Sequence, residues 1–138
     1  MRLLVSVLLG VVVLATYGCA STSAGAVVCA ADTESAHWSA TAQVLIAKTR
    51  YGCNQAPVSI QVEVRIDRKS GAGWTEWHTE SHRLLVIKPN TTYTVYTSTS
   101  ACVPGTYRSG GRLVEINSQP GLRVVDYAAK PLFVSCGH

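Results

Sequence analysis

The sequence predicts an all-β chain, an antiparallel β-sandwich of seven or eight short strands that follows an N-terminal signal peptide. Three observations predict this class. Residues 58–67 alternate apolar and polar side chains without interruption, turn-forming residues recur at regular spacing, and helical periodicity is absent after the first apolar segment. A small closed barrel is the alternative arrangement of the same strands.

Residues 1–20 have the layout of a secretory signal peptide. Arg2 precedes an apolar run of about 13 residues, which is short for a membrane span of ~20, and small residues follow. Three outcomes stay open: removal of the segment by a signal peptidase, acylation of Cys19, or retention of the segment as an uncleaved anchor. For acylation, the segment resembles a bacterial lipoprotein signal through Gly18, although Thr16 stands where that motif prefers Leu. We expect a secreted protein or one attached to the outer face of the cell envelope, with membrane contact only through a lipid at Cys19.

The cysteines favour an oxidising compartment. Without Cys19 four remain, an even number, as a disulfide framework needs. We predict Cys53–Cys102, because each cysteine follows a predicted strand, and Cys29–Cys136, because both lie near the termini of the domain. No Cys-x-x-Cys spacing supports a zinc or redox site.

The charges are dispersed. The chain has 12 Lys and Arg against 8 Asp and Glu, and no basic run of four or more occurs, so a nucleic-acid partner is not expected. The sequence contains neither a glycine-rich phosphate-binding loop nor the G-x-S-x-G motif around a nucleophilic serine. We therefore expect neither a cofactor nor catalytic residues.

Residues 21–36 are small and polar and predict a flexible tether, so the sandwich domain is expected over 37–138. In the segment 58–67, every second side chain faces the core, namely Val58, Ile60, Val62, Val64 and Ile66. The side chains between them, such as Gln61, face water. A turn at 68–73 predicts that 73–82 returns as the second strand of a hairpin. Further strands are predicted at 40–49, 83–88, 92–98, 111–117, 122–127 and 131–136.

Two segments resemble the tyrosine corner of known sandwiches. "KPNTTYTVY", with Pro89 and Tyr93, resembles the entry to a late strand of fibronectin type III domains. "CVPGTYR", with Tyr107, resembles a segment of small exported immunoglobulin-like proteins of actinobacteria, which are mostly of unknown function. The resemblance implies an immunoglobulin-like sandwich in which each tyrosine hydroxyl bonds to nearby backbone. It implies no activity.

The stretch "GWTEWHTESH" (73–82) is the richest in functional side chains. In a straight strand His78 and His82 would lie ~13 Å apart, too far for one metal ion, so we expect no metal site. Odd spacing puts Trp74 and Trp77 on opposite faces unless a bulge intervenes, with one tryptophan in the core. The expected arrangement is a wet strand face on which a binding site, if one exists, is formed by four residues. They are Trp74, Glu76, His78 and Glu80.

Three functions remain open at this stage. The first is a non-catalytic exported sandwich that binds a protein or a cell-envelope component. The second is a secreted inhibitor of a hydrolase, with residues 100–111 as a rigid loop anchored by Cys102. The third is a small secreted hydrolase that uses the histidines and glutamates of 73–82.

Overall fold

The computed structural model describes residues 27–118 and 121–137, and this part of the chain forms two antiparallel sheets stacked as an open sandwich. The predicted β-sandwich is therefore confirmed, and the sheets do not close into the alternative barrel. These two ranges contain no helix. Their strands are β1 Cys29–Thr33, β2 His37–Ser39, β3 Val44–Cys53, β4 Ser59–Ser70, β5 Gly73–Leu84, β6 Tyr93–Thr99, β7 Gly105–Ile116, β8 Leu122–Ala128 and β9 Leu132–Val134.

The smaller sheet is built around β3. Strand β6 pairs with one edge of β3, and β1 and β2 pair with the other edge. The larger sheet has the order β5-β4-β7-β8, and β9 pairs with the beginning of β7 on the edge that β8 occupies further along. Strand β5 therefore forms one edge of the larger sheet.

The predicted hairpin of 58–67 with 73–82 is confirmed as β4 and β5. Ser70 lies opposite Gly73, so the turn consists of Gly71 and Ala72 and is shorter than the predicted 68–73. Gly71 has φ 59°, a left-handed conformation that glycine adopts without the steric cost of a Cβ atom.

The alternation predicted for this segment fills the core. Ile60, Val62, Val64 and Ile66 are each 0% exposed and face the smaller sheet. Val58 was predicted to join this row, but it precedes β4 and is 57% exposed. The core is completed from the other strands by Leu45, Ala47, Tyr51, Tyr107, Leu113 and Val134, and from the loop between β5 and β6 by Ile87.

Both predicted tyrosine corners are formed. The hydroxyl of Tyr107 donates to Val103 O at 2.7 Å, and the hydroxyl of Tyr93 accepts from Lys88 N at 2.9 Å. Each bond fixes the loop that leads into a strand, because a backbone group in the loop is bonded to a side chain of the strand that follows.

The predicted disulfide pairing is wrong. The bonds are Cys29–Cys53 and Cys102–Cys136. Antiparallel pairing of β1 with β3 places Cys29 directly opposite Cys53. Pairing of β9 with β7, which sets Gly105 opposite Val134, brings the segments that carry the other two cysteines together.

The predicted tether also needs correction. Residues 29–33 form β1, and its end residues Cys29 and Thr33 are buried against the larger sheet, so the domain includes them and does not begin at residue 37. The predictions for the signal peptide, for Cys19 and for residues 21–26 concern a part of the chain outside the described residues. Within 27–118 and 121–137 no helix has the length and apolarity that a membrane crossing requires.

Most of the other predicted strands are present with shifted ends. Residues 40–49, 92–98, 111–117, 122–127 and 131–136 correspond to β3, β6, β7, β8 and β9. The strand predicted at 83–88 is wrong. Strand β5 ends at Leu84, and Leu85 and Val86 are 68% and 76% exposed because no strand pairs with them. The short strand β2 was not predicted.

Candidate functional site

A β-bulge divides the stretch 73–82. Glu76 lies opposite Asp67 and His78 lies opposite Ile66, so Trp77 has no partner of its own on β4. An extra residue of this kind reverses the alternation beyond it. The single wet face predicted for this stretch is therefore not formed.

The four predicted binding residues lie on two faces as a result. Because directly opposed residues share a face, Trp74 and Glu76 lie on the outer face of the larger sheet, with Lys69 and Asp67. His78 and Glu80 lie opposite the core residues Ile66 and Val64 and so belong to the inner face, at its open edge.

At that edge His78 contacts its neighbour Glu80, and His82 contacts β6 of the smaller sheet. His78 Nε2 is 3.6 Å from Glu80 Oε1, and His82 Nε2 is 3.2 Å from the backbone oxygen of Tyr96. Throughout the described ranges, no group of three or more His, Cys, Asp or Glu residues is placed to hold a metal ion.

Trp77 serves the core and the neighbouring loop. Its ring meets Tyr107 edge-on at 5.9 Å, Arg68 lies 5.6 Å above it, and its Nε1 donates to Ala101 O at 2.7 Å. The bulge thus turns one tryptophan inward while Trp74 stays outside.

Trp74 and Arg108 form a stacked pair on the outer face. The Arg108 guanidinium carbon is 4.4 Å from the centre of the Trp74 ring, within the range of a cation–π contact. Arg108 Nε also donates to Asp67 Oδ2 at 3.0 Å. A second guanidinium, that of Arg65, places its Nε 2.9 Å from Asp67 Oδ1.

Asp67 is therefore a buried carboxylate on the solvent side of a sheet. It is 4% exposed, because Arg65 and Arg108 cover it from two neighbouring positions. Removing a carboxylate from water is costly unless cationic groups replace the water, and here Arg108 donates a hydrogen bond while Arg65 forms an ion pair. The hydrogen bond to Asp67 and the contact with Trp74 therefore orient the Arg108 guanidinium, and the ion pair keeps Arg65 beside it.

The arginines border a depression of ≈ 410 Å³ in this face. On β7, Gly110 lies between Arg108 and Arg112, opposite Arg65 on β4 and opposite Ala128 on β8. A Cβ atom at Gly110 would approach the backbone oxygen of Tyr127 to 2.9 Å, so a larger residue does not fit. The lining also includes Arg108, Arg112, Gly111, Asp126 and Tyr127.

Two further interactions fix the rim and the floor. Arg112 Nε donates to Asp126 Oδ1 at 2.8 Å, and this carboxylate raises the pKa of Arg112. The Tyr127 hydroxyl donates to the backbone oxygen of Glu63, and burial raises the pKa of Tyr127 to about 12. Both side chains therefore keep their protonated forms at neutral pH.

Sequence reasoning did not identify Arg65, Asp67, Arg108 and Arg112 as a group. The strand predicted at 111–117 begins too late to include Arg108, whereas β7 begins at Gly105. A signal was present, because Arg108, Gly110 and Arg112 alternate with period two as residues on one strand face do. Only the register of β7 with β4 shows that this face is the one that carries Arg65 and Asp67.

Comparison with known proteins adds little. No family model matches the chain. No curated protein matches it either. The chain is similar to the solved structure of the putative ApaA protein from Bordetella pertussis, with 10% identity, 79% of this chain and 92% of that chain covered, and a TM-score of 0.46. A second X-ray structure, from the Northeast Structural Genomics Consortium, has 13% identity, 79% and 85% coverage and a TM-score of 0.38. Likeness at this level carries no argument about function.

Proposed function

We propose that the protein is an exported, non-catalytic β-sandwich that binds a protein or a cell-envelope component through the outer face of its five-stranded sheet. The observation that carries the proposal is the Trp74–Arg108–Asp67 unit. Tryptophan and arginine are enriched among the residues that contribute most to binding at protein interfaces. Side chains that are already immobilised lose less entropy when a partner binds.

The disulfides support the export part of the proposal. Two bonds, Cys29–Cys53 and Cys102–Cys136, are compatible with an extracellular location, because disulfides persist in oxidising compartments. The signal peptide and an acyl group on Cys19 belong to the same proposal. They would place the domain in the medium or on the outer face of the envelope.

No observation favours the two alternative functions over this one. Gly105 begins β7, so only residues 100–104 of the segment considered as an inhibitory loop are a loop. Tyr107 within that segment is fully buried. For a hydrolase, the bulge separates Glu76 from His78 and Glu80 onto opposite faces of the sheet.

The test is capture of a partner from envelope and culture fractions of the producing organism, with Trp74→Ser as the diagnostic variant. Tyr96→Ser is the matched control, because Tyr96 is an aromatic side chain that is 51% exposed on β6 of the other sheet. We expect a component that the wild-type protein and Tyr96→Ser enrich equally and that Trp74→Ser enriches at least about tenfold less, a loss of ~1.4 kcal/mol in binding.

Circular dichroism and thermal melting must show that both variants are folded. Equal capture by Trp74→Ser and the wild type would overturn the assignment of the outer face. Enrichment of no component over a bead control would count against a binding function.

A further inference from the structure

We propose that the depression bordered by Arg65, Arg108 and Arg112 recognises an oxyanion group of the ligand, a carboxylate or a phosphate. The inference rests on the proposed binding function and names the chemistry that the outer face would recognise. It depends on three guanidinium groups that the fold brings around one glycine, those of Arg65, Arg108 and Arg112.

Strand geometry makes the three arginines converge. Arg108 and Arg112 lie two residues before and after Gly110, so their side chains leave β7 on the same face as the glycine position. Arg65 on β4 lies directly opposite Gly110, and the Cα atoms of such antiparallel pairs are about 5 Å apart. The backbone of β8 lies close against Gly110, and the three arginine side chains border the depression beside it.

The contacts of the arginines leave donors for a ligand. Arg108 and Arg112 each bond to a carboxylate through Nε, at 3.0 Å and 2.8 Å. In the described part of the chain, their Nη atoms have no hydrogen-bond acceptor. A guanidinium that is fixed at Nε presents its remaining N–H groups in a known plane, and this fork matches the geometry of carboxylate and phosphate oxygens.

The charges around the depression are balanced, so the site differs from a broadly positive surface. Three carboxylates lie beside the three arginines: Asp67 between Arg65 and Arg108, Asp126 beside Arg112, and Glu63 3.6 Å from Arg65. The local charge is therefore close to zero before a ligand binds. Recognition would depend on hydrogen-bond geometry, and its salt dependence would be weaker than that of a basic surface.

Trp74 strengthens the donors on one side. Its ring covers one face of the Arg108 guanidinium at 4.4 Å and keeps water from that face. A partly desolvated cation forms stronger bonds in its own plane, because the effective dielectric constant around it is lower. This arrangement links the aromatic contact of the proposed interface to the oxyanion site.

The experiment is an NMR titration of the purified, disulfide-bonded protein with two probes, inorganic phosphate and citrate, at constant ionic strength set by chloride. Arginine Nε–Hε signals and the Gly110 amide are followed. Arg112→Gln is the test variant, because its side chain is 56% exposed and its loss leaves the core intact. Arg83→Gln is the matched control, an exposed arginine on the outer face of β5 opposite Gln61.

We expect saturable shifts at Arg65, Arg108, Arg112 and Gly110 with at least one probe. Arg112→Gln should weaken binding by a factor on the order of ten, and Arg83→Gln should leave it unchanged. The tighter probe identifies the source, phosphate or carboxylate. Absent or non-saturating shifts with both probes, or equal weakening by the two variants, would overturn the inference.

The outcome also separates this inference from the proposed function. A partner whose capture depends on Trp74 but is not reduced by saturating phosphate or citrate would leave the binding function standing and overturn the oxyanion site. Competition by one of the probes would support both.

Discussion

The carboxylate of Glu115 accepts a hydrogen bond from the backbone N–H of Cys29 at 3.0 Å, across 86 residues of sequence. Glu115 is 0% exposed and lies on the inner face of β7. Arg123 Nη1 donates both to this carboxylate, at 3.2 Å, and to the backbone oxygen of Cys29, at 3.1 Å. A side-chain pair of the larger sheet thus binds both backbone groups of one residue in the smaller sheet.

Replacement of Glu115 should therefore detach β1 from the larger sheet. We expect Glu115→Ala to lower the free energy of unfolding by about 2–3 kcal/mol, because a charged hydrogen bond to a buried amide is lost and the Arg123 cation loses its partner. Urea unfolding followed by circular dichroism measures the loss. The control is Glu80→Ala, at an exposed carboxylate of β5, which should change stability by less than ~0.5 kcal/mol. Equal midpoints for the two variants would contradict this role of Glu115.

Two adjacent residues of β4, Gln61 and Val62, should respond differently to the same substitution, because they face opposite sides of the sheet. Val62→Asp should unfold the domain, since Val62 is 0% exposed and an unpaired buried carboxylate costs several kcal/mol of a total stability of ~5–15 kcal/mol. Gln61→Asp should be tolerated, because Gln61 is exposed and lies opposite Arg83. Thermal melting of the two variants decides the point, and similar melting temperatures would show that the register is wrong.

The hydroxyl groups of two inner tyrosines differ in their bonding. The Tyr127 hydroxyl donates to Glu63 O, whereas the Tyr51 hydroxyl is buried without a hydrogen-bond partner among the described residues. We expect Tyr127→Phe to cost about 1 kcal/mol and Tyr51→Phe to be neutral or stabilising. Chemical denaturation of both variants measures the difference, and the opposite ranking would refute the bonding pattern.

The same tyrosines should make the protein sensitive to alkali. Burial raises the pKa of Tyr51 and that of Tyr127 from 10.0 to about 12. Between pH 10 and 12 these hydroxyl groups are largely deprotonated in the unfolded chain but still protonated in the folded protein. Rising pH therefore favours the unfolded chain, so the free energy of unfolding is constant below pH 10 and falls between pH 10 and 12. Rapid measurements of the free energy of unfolding at several pH values between 10 and 12 should show this decrease in stability. The slope should be smaller in Tyr127→Phe, and an unchanged slope would show that Tyr127 does not titrate in this way.

Disulfide mapping tests the topology directly. Peptides from a non-reduced digest should link Cys29 to Cys53 and Cys102 to Cys136. With loops of 24 and 34 residues, removal of either bond by a Cys-to-Ser pair should cost about 3.5 kcal/mol in the chain-entropy description. Recovery of a Cys53–Cys102 peptide would contradict the strand pairing of both sheets.

Local sequence patterns predict some parts of this structure, whereas other parts depend on contacts between residues that are distant in the sequence. The hairpin of β4 and β5 is predictable because alternation and the turn at Gly71 are local signals. Strand β1 has no such signal, and its burial depends on Glu115, which is distant in the sequence. The correct disulfides depend on the same non-local pairing.

The candidate site was predictable only in part. Trp74 and Glu76 were selected from composition, and both lie on the outer face beside Asp67. The bulge at Trp77 depends on how β5 fits against β4, and no residue in 73–82 specifies it by itself. Arg65, Arg108 and Arg112 share one face only because β7 pairs with β4, and no local sequence pattern specifies that pairing.

The pattern of the disulfides determines how the domain would respond to a mechanical pull on its two ends. Force entering at Cys29 passes through the sulfur bridge to Cys53, and force entering at Cys136 passes to Cys102. Only the 49 residue steps between Cys53 and Cys102 can then lengthen, to about 170 Å at ~3.5 Å per residue. That loaded segment contains β4, β5 and β6, whereas β7 and the arginines at 108 and 112 lie inside a loop that the second bridge shields from tension.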